Sequence, residues 1–429
     1  MLKKLATLLL GAALYAAPAL ADDNWPQFRG PTGQGLTDSQ NLPTTWAEDK
    51  NVKWKAPIKG RGWSSPVVWG NQVWITTADD AGRDLFVLCF DKETGKVVHD
   101  VKLFTDPAPN PIFRKFNTYA SPTPVIEEGR IYVTFGAAGT ACLDTKSASV
   151  IWERTDIKIN HYRGAGSSLF EHQGLLYLNF DGSDAQFIVA LDKQTGKDVW
   201  RVARSVDYAD LDATGKPKAE GDLRKAFSTC RLAPVNGQPA IISVGAKATY
   251  AYEPKTGKEI WRLDHKDWHS AGAVPVIGDG LIYVAPGYSK AGLLAIKADG
   301  TGALPPSGIA WKAPAANAPN KPSPLLHDGL LYTISDGGFA TCWDAKTGAE
   351  IWKQRLADNF SAAPIAGDGK IYFFGEKGNT FVMALGREPK LLATNKLAEG
   401  CMATTAVSGK ALFVRTTVKE GGALYRIQE

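Results

Sequence analysis

Short runs in which apolar and polar residues alternate recur along almost the entire chain. Typical runs extend from Gly280 to Val284 and from Gly369 to Phe374, and they are bounded by Gly, Asn or Asp. Since alternation sends successive side chains to opposite faces of a strand, each run predicts a short β-strand. Helical periodicity is absent after the first 21 residues. The pattern therefore predicts an all-β protein.

The predicted strands belong to a repeat. In each copy a small residue precedes an apolar strand, a glycine turn leads to a second strand, and a third strand ends in Asp. A turn similar to Lys-x-Thr-Gly-Lys then leads to a strand that carries Trp. Seven copies occupy residues 65–96, 121–152, 167–200, 229–261, 271–311, 323–352 and, with a less regular sequence, 361–392. Repeats of this period predict units that bury their apolar faces against one another, as propeller blades do.

An eighth unit is divided between the two ends of the chain. Residues 402–427 supply three strands, and the isolated segment 51–55 supplies a fourth strand with Trp54. Joining them closes the ring and removes free sheet edges, which invite aggregation. We therefore predict an eight-bladed β-propeller of four-stranded blades over residues 51–429, preceded by an N-terminal extension over residues 22–50.

The repeated residues have a physical interpretation. Trp is large and flat enough to fill the wedge between neighbouring sheets, and a small residue on the third strand leaves room for it. The small residues are Cys89, Cys142, Ala190, Ala251, Ala295, Cys342 and Ala384. We expect the cysteines to be buried and unpaired, and we expect no metal bound through sulfur.

These features resemble the tryptophan-docking motif of the pyrroloquinoline-quinone (PQQ) propellers. The likeness covers nearly the whole chain after residue 21 and is weakest at His99 and near Leu392, where Trp is absent. The opening segment Asn24–Pro31 reads NWPQFRGP and is followed by Gly33 and Gly35, which resembles the N-terminal signature of exported bacterial PQQ-like propellers. Such proteins are similar in repeats to the propeller lipoprotein of the outer-membrane β-barrel assembly machinery. The resemblance implies a fold and no particular chemistry.

The first 21 residues predict a signal peptide. Lys3 and Lys4 precede an apolar run over residues 5–14, and Ala19-Leu20-Ala21 provides a small-residue cleavage site. The run is shorter than the roughly 20 residues of a membrane-spanning helix, so we expect cleavage and no membrane anchor. Asp22 stands where a lipoprotein would carry cysteine. We therefore predict a protein of the periplasm or the exterior.

Candidate chemistry lies in the loops that enter the first strand of each blade, because these loops converge on the mouth of the central channel. They are rich in aromatic, cationic and amide side chains, which suit a polar, anionic or sugar-like ligand. The predicted ligand-binding residues are Arg61, Trp63, Asn117, Tyr119, His161, Tyr162, Arg163, Arg231, Asp267, Trp268, His269, Lys321, Asp358 and Asn359. The alternative is that these side chains only satisfy the backbone at strand starts.

Two histidines of this set and a separate acidic loop are candidates for metal binding. His161 and His269 are candidates for metal ligation or proton transfer, with hydrogen bonding inside the funnel as the alternative. An acidic loop between blades 3 and 4 matches part of a calcium loop, although Gly221 stands at its twelfth position and no helices flank it. The predicted calcium ligands are Asp210, Asp212, Thr214 and Lys216, the last through its carbonyl. A solvated acidic turn is the alternative.

We predict a non-catalytic exported propeller that binds or scaffolds a partner through its funnel-face loops. The partner is a periplasmic protein, a glycan or a small ligand. A net charge of only +5, part of it in the signal peptide, argues against nucleic acid. We expect a monomer.

The alternative function is a PQQ-dependent oxidoreductase, with Asp267 or Asp358 as base. The resemblance implies that such enzymes hold calcium beside the quinone through acid and amide side chains and, in several members, carry a vicinal disulfide. This chain has no Cys-Cys pair and few long insertions, so we do not expect bound PQQ. A hydrolase or lyase is a third class, which no GxSxG or HExxH motif supports. Calcium is the one cofactor candidate.

Export predicts a defined N-terminus. Expression of the full chain in a Gram-negative host should yield a periplasmic protein that begins at Asp22, which N-terminal sequencing and intact mass would check. Leu9→Arg, which interrupts the apolar run, should leave the chain uncleaved in the cytoplasm. An uncleaved wild-type chain would contradict the prediction.

Overall fold

The computed structural model describes residues 23–111, 117–288, 291–417 and 422–429. The predicted signal peptide lies outside these residues. Within them, eight antiparallel sheets surround a central channel, and each innermost strand comes first in its blade along the chain for blades 1 to 7. The prediction of an all-β, eight-bladed propeller with four-stranded blades is confirmed.

The strands are short, and connections within a blade are tight turns. Blade 1 contains Val67–Trp69, Gln72–Ala78, Asp84–Asp91 and Val97–Thr105, and blade 2 contains Val125–Glu127, Arg130–Thr134, Thr140–Asp144 and Val150–Arg154. Blade 3 contains Phe170–His172, Leu175–Asp181, Gln186–Asp192 and Asp198–Ala203, and blade 4 contains Arg231–Val235, Gln238–Val244, Ala248–Tyr252 and Glu259–Asp264. The short strand Gly302–Ala303 adds to the outer edge of blade 4 in parallel.

The second half of the ring follows the same order. Blade 5 contains Val276–Gly278, Leu281–Val284, Leu294–Lys297 and Ile309–Lys312, and blade 6 contains Leu325–His327, Leu330–Ile334, Phe339–Asp344 and Glu350–Arg355. Blade 7 contains Ile365–Gly367, Lys370–Phe374, Asn379–Ala384 and Leu391–Lys396. The short 3-10 helices in the described residues are Gly136–Ala138, Lys218–Arg224, Pro306–Gly308 and Ala315–Asn317. No helix of this part of the chain is long and apolar enough to span a membrane.

Blade 8 closes the ring with strands from both chain ends. Its inner strands are Ala406–Ser408, Ala411–Arg415 and Gly422–Ile427, and Val52–Ile58 pairs antiparallel with the last of these. The predicted closure is therefore confirmed. Because the strands of one sheet come from opposite ends of the chain, both ends are needed to complete blade 8.

Six of the eight fourth strands carry a Trp that binds the turn of the next blade. At six junctions its indole N–H donates to a turn carbonyl at 2.8 to 3.1 Å. Trp152 of blade 2, for example, donates to Lys193 and lies across the strand from Cys142. A Cβ on Gly196 in the same turn would lie 2.5 Å from this ring, so the turn requires glycine. All five cysteines are buried and unpaired, as expected.

Blade 7 departs from the pattern, and the sequence alignment of its third strand was wrong by two residues. The position opposite the missing Trp is Val382 rather than Ala384, and it pairs with Ala393. The N-terminal extension supplies the missing indole, because Trp46 stacks on Tyr372 with ring centroids 6.4 Å apart. In blade 2 the corresponding Trp–Tyr pair lies at 6.2 Å.

Blade 1 replaces its missing Trp differently. His99 occupies the Trp position and stacks on Trp74 at 5.5 Å. The hydrogen bond to the next blade comes instead from Gln72, whose side-chain amide donates to the carbonyl of Thr145 at 2.8 Å. The junction therefore keeps both an aromatic stack and a donor to the turn.

Trp46 should contribute to stability as a core residue, since only 3% of it is exposed. Trp46→Ala is expected to lower the free energy of unfolding by about 3–5 kcal/mol, as Trp352→Ala should, because each removes a large buried ring. Val199→Ala, at a side chain that is 49% exposed, is the control and should change little. Chemical denaturation of the three variants checks this. An unchanged midpoint for Trp46→Ala would mean that the extension does not stabilise the ring.

Candidate functional site

The N-terminal segment crosses the channel and closes one end of it. Trp25 pairs through its backbone with the innermost strand of blade 1, and Leu36 pairs with that of blade 7. Between them, the carbonyl of Pro26 and the side chain of Gln34 accept backbone N–H groups of blades 2 and 5. The partners on the four inner strands are Val68, Ile126, Ile277 and Ala366. We refer to residues 25–37 as the floor.

Two buried arginines hold the floor in place. Arg231 donates to the carbonyls of Phe28 and Gly33 at 2.8 and 3.1 Å, and Arg29 donates to those of Gln34 and Pro324 at 2.7 and 2.6 Å. In the described residues no carboxylate acts on the pKa of either guanidinium. Burial lowers the pKa of Arg231 to about 10, and burial together with Arg231 lowers that of Arg29 to about 9. Arg231, one of the predicted funnel residues, contacts the floor from the start of the inner strand of blade 4.

The glycines of the N-terminal signature allow this close packing. Gly30 and Gly33 have φ angles of +78° and +69°, which favour glycine. A Cβ on Gly30 would lie 2.7 Å from the ring of Trp25, and one on Gly33 would lie 2.5 Å from Nε of Arg231. The glycines of the signature therefore allow the close packing of the floor.

Above the floor the channel opens into a cavity of about 680 Å³. Phe28 of the floor lines it, together with the aromatic side chains of Trp63, Phe227 and Tyr288. Residues from every blade or its entry loop contribute to the lining. Because one end is closed, the channel is a pocket of the size that small-molecule sites have.

A ring of six hydroxyls lines this cavity, and we name it the hydroxyl ring. Each oxygen accepts a backbone N–H from the preceding blade at 2.9 or 3.0 Å, so the ring also connects the blades. The positions in blades 5 and 7 are occupied by Val274 and Ala363, which lack a hydroxyl. The members of the hydroxyl ring are Ser65, Thr123, Ser168, Thr229, Ser323 and Thr404.

Charged groups cluster on the side of blades 3 and 4. Asp222 lies between Arg163, 3.5 Å away, and Lys225, which binds its carboxylate and also donates to its carbonyl at 2.8 Å. The pKa of Lys225 is lowered, because the effect of burial exceeds the opposite effect of Asp222. Burial is the main cause that lowers the pKa of His269, and the positive charge of Lys225 lowers it further. On the opposite side, Lys321 binds Glu376 at 3.0 Å.

The structure brings only part of the predicted set to the cavity. The predicted residues that line it are Trp63, Asn117, Arg163, His269 and Lys321. The others are absent from the lining, namely Arg61, Tyr119, His161, Tyr162, Arg231, Asp267, Trp268, Asp358 and Asn359. The sequence predicts which loops lie at the channel mouth, but it does not show which of their side chains form contacts within the loop instead of lining the cavity.

Several of these side chains serve their own loops. Asp358 is buried and accepts the backbone N–H of Lys377 at 3.0 Å and the side-chain amide of Asn379 at 2.9 Å. Trp268 covers Gly287 and Gly292, where a Cβ would lie 2.7 and 2.9 Å from its atoms. The ring of Tyr162 packs 5.4 Å from both Arg163 and Lys225. The hydroxyl of Tyr119 donates to the carbonyl of Asn110. Arg61 pairs through its backbone with Ala78. Asp267 and Asn359 are exposed.

His161 has a structural position. It is buried, and its Nε2 accepts the N–H of Ala137 at 3.1 Å. Its ring lies 6.0 Å from that of Phe180. His161 therefore does not share the cavity with His269, and the two do not form a pair.

Sequence reasoning missed the floor, the hydroxyl ring, Asp222 and Lys225 as parts of one site. The hydroxyl signal was present, because Ser or Thr recurs before the first strand of most repeats. From the repeat alone, this Ser or Thr is identified only as a small residue at a repeat boundary. The floor residue Phe28 had no signal, since nothing in a linear pattern connects residue 28 with a channel formed by eight blades.

The acidic loop uses its oxygens internally. Asp210 binds Arg224 through both carboxylate oxygens, and this arginine lowers the pKa of Asp210. Asp212 accepts the N–H and hydroxyl of Thr214, and the carbonyl of Lys216 accepts the N–H of Asp212. Among the described residues no three His, Cys, Asp or Glu side chains are grouped to hold a metal ion. Calcium binding stays a prediction.

These features define a PQQ-like β-propeller with a closed-ended cavity. The chain belongs to the family whose model is described as outer membrane protein assembly factor BamB, which matches residues 36–155, 81–232 and 302–418. No curated protein matches the sequence. The resemblance to PQQ-like and assembly-machinery repeats is thereby confirmed.

Solved structures share the fold at low identity. A europium-containing methanol dehydrogenase matches with a TM-score of 0.70 and 12% identity, over 94% of this chain and 90% of its own. The quinohemoprotein alcohol dehydrogenase from Comamonas testosteroni matches with 0.70 and 13%, over 96% and 81%. BamB from Moraxella catarrhalis matches with 0.54 and 11%, over 82% and 98%. At such identities the likeness concerns the fold alone.

The burial of His161 predicts a pH dependence of stability. Burial lowers its pKa from 6.5 to about 4, so the unfolded chain binds more protons between these values. The free energy of unfolding should therefore fall as the pH falls through this window. His161→Gln, which keeps an acceptor for Ala137, should reduce the slope measured by urea denaturation at several pH values. An identical slope in the variant would contradict the prediction.

Proposed function

We propose that this protein is an exported, non-catalytic binding protein whose closed-ended cavity holds a small polar ligand. The observation that carries the proposal is the combination of a cavity of about 680 Å³ with aromatic, hydroxyl and charged side chains from many blades. Binding pockets for small molecules have this size and mixture of apolar walls with a few placed polar groups. The rigid ring would hold these groups in position without the ligand.

A small ligand fits this cavity better than a macromolecule does. Protein partners are usually bound by broad surfaces of about 800 Å² per partner, whereas here the polar groups converge inside a pocket. Phe28 and Trp63 offer flat apolar surfaces, and Asn117 and Lys321 offer polar contacts at the wall. A sugar ring or another compact polar molecule would use both. Export is part of the proposal because of the predicted signal peptide.

The residues of the cavity do not fit a calcium-bound quinone. Such a centre needs acid and amide oxygens directed at the metal. The described lining contains two amides, Asn117 and Asn320, but only one carboxylate, Asp222, which both Lys225 and Arg163 already bind. We therefore derive no redox step from the fold.

A ligand panel tests the proposal. The mature protein is mixed with neutral saccharides, organic acids, phosphates and PQQ with and without calcium, and the melting temperature is measured. At least one non-quinone compound should raise it, because binding stabilises the folded state. Trp63→Ala should weaken that binding by about 2 kcal/mol, as loss of a buried aromatic contact does.

Phe339→Ala, on the outer surface of blade 6, is the matched control and should bind normally. A panel without any stabilising compound, or equal binding by the Trp63 variant, would contradict the proposal. PQQ turnover with an electron-accepting dye would replace it with the oxidoreductase reading.

A further inference from the structure

We propose that the hydroxyl ring, with Arg163 and Lys225, recognises an anionic ligand group that presents several acceptor oxygens, as carboxylates and phosphates do. The inference rests on the proposed function and names the chemical class of the ligand. The choice of an anionic ligand follows from the direction of the hydrogen bonds at the cavity wall, in which, among the described residues, the ring hydroxyls accept and do not donate.

Each hydroxyl of the ring has used a lone pair but not its proton. All six accept a backbone N–H, for example from Ser65 to Thr123 and from Thr404 to Ser65. Within the described chain none of the six donates to a protein acceptor. A hydroxyl proton without a protein acceptor at the cavity wall is free to donate to an acceptor oxygen of a ligand, which would take the place of water there.

Neighbouring hydroxyls behave differently, which makes the ring distinctive. Ser228 is adjacent to Thr229 and donates to the carbonyl of Ala273 at 2.8 Å. Ser64 is adjacent to Ser65 and donates to the carbonyl of Thr76 at 3.1 Å. Ser228 and Ser64 thus donate inside the protein, whereas the ring members beside them do not; Thr405, next to Thr404, has no hydrogen-bond partner among the described residues.

The unspent donors are concentrated on one arc of the channel. Blades 8, 1, 2, 3 and 4 all contribute a hydroxyl, and the positions in blades 5 and 7 are Val274 and Ala363. Arg163 and Lys225 precede the inner strands of blades 3 and 4, so they lie at the same arc.

The charges at this arc favour an anion over a neutral sugar. Arg163 and Lys225 both bind Asp222, which is the one carboxylate among the described residues that line the cavity, so the lining at this arc contains two cationic side chains and one acidic one. Lys321, by contrast, is offset by Glu376 and Asp336. A sugar brings hydroxyl donors that would need several acceptors; the ring oxygens have already accepted once, and Asn320 Oδ1 is the one buried side-chain acceptor without a partner in the described lining. A carboxylate or phosphate brings acceptors alone, and charge-assisted hydrogen bonds are the stronger kind.

Calorimetry with defined probes tests this inference. Citrate and inorganic phosphate are titrated into the mature protein, with glucose and maltose as neutral probes of similar polarity. At least one of the two anions should bind, more weakly at high salt, and neither sugar should bind comparably. Binding of citrate but not phosphate would assign carboxylates, and the reverse would assign phosphates.

Substitutions then separate ligand recognition from structure. Thr229→Val removes one donor at nearly constant volume and should weaken anion binding roughly tenfold. Ser228→Ala is the matched control, because it removes a structural hydrogen bond one residue away and should leave anion affinity unchanged. Ala363→Ser restores a hydroxyl at a vacant ring position and should strengthen binding.

The outcomes also separate this inference from the proposed function. Saccharide binding without anion binding would overturn the anionic class and leave the cavity as a ligand site. Equal effects of Thr229→Val and Ser228→Ala on anion affinity would show that the ring acts only through stability and would likewise overturn it. Failure of every probe here and in the broader panel would remove both.

Discussion

The docking of an indole into the turn of the next blade is the interaction on which this ring depends. A sheet of four short strands cannot bury both faces alone, and the Trp of its outer strand spans the wedge to its neighbour. The N–H of Trp200 is spent on the carbonyl of Pro254 in the following blade, so the large ring is buried without an unpaired donor. The turn needs glycine because the ring lies directly against it. Apolar burial, hydrogen bond and turn conformation therefore act as one unit at the four junctions where the indole lies against a turn glycine.

The two junctions without this Trp show that the packing requirement outranks the sequence motif. Blade 1 meets it with a stacked histidine and a glutamine donor, and blade 7 receives Trp46 from a distant part of the chain. The same N-terminal segment crosses the channel before Trp46 and forms the outer strand of blade 8 after it. One stretch of chain thereby fills a wedge, closes a sheet and converts an open channel into a pocket.

The polar groups that line the cavity include the hydroxyls that connect neighbouring blades. The hydroxyls that join neighbouring blades stand on the channel wall because the inner strands begin there. The floor is held by guanidinium groups that bind only carbonyls, although burying a charge without an opposite charge is costly. Arg231 offsets part of this cost through hydrogen bonds to three carbonyls, whereas Nε and Nη1 of Arg29 are buried without a partner among the described residues.

Periodicity was sufficient to predict the class of fold, the number of blades and the shared eighth blade, because alternation and the repeat are local properties that every copy carries. It also placed Trp63 and Arg163 near the channel mouth, since entry loops must converge there. It could not distinguish His161, which serves its own loop, from His269, which lines the cavity, because orientation depends on neighbours that are remote in sequence. The sequence by itself determined the ring. Only the tertiary structure decided that Phe28 closes it, that Trp46 completes blade 7 and that six hydroxyls share one wall, because each of these contacts joins segments that no local pattern connects.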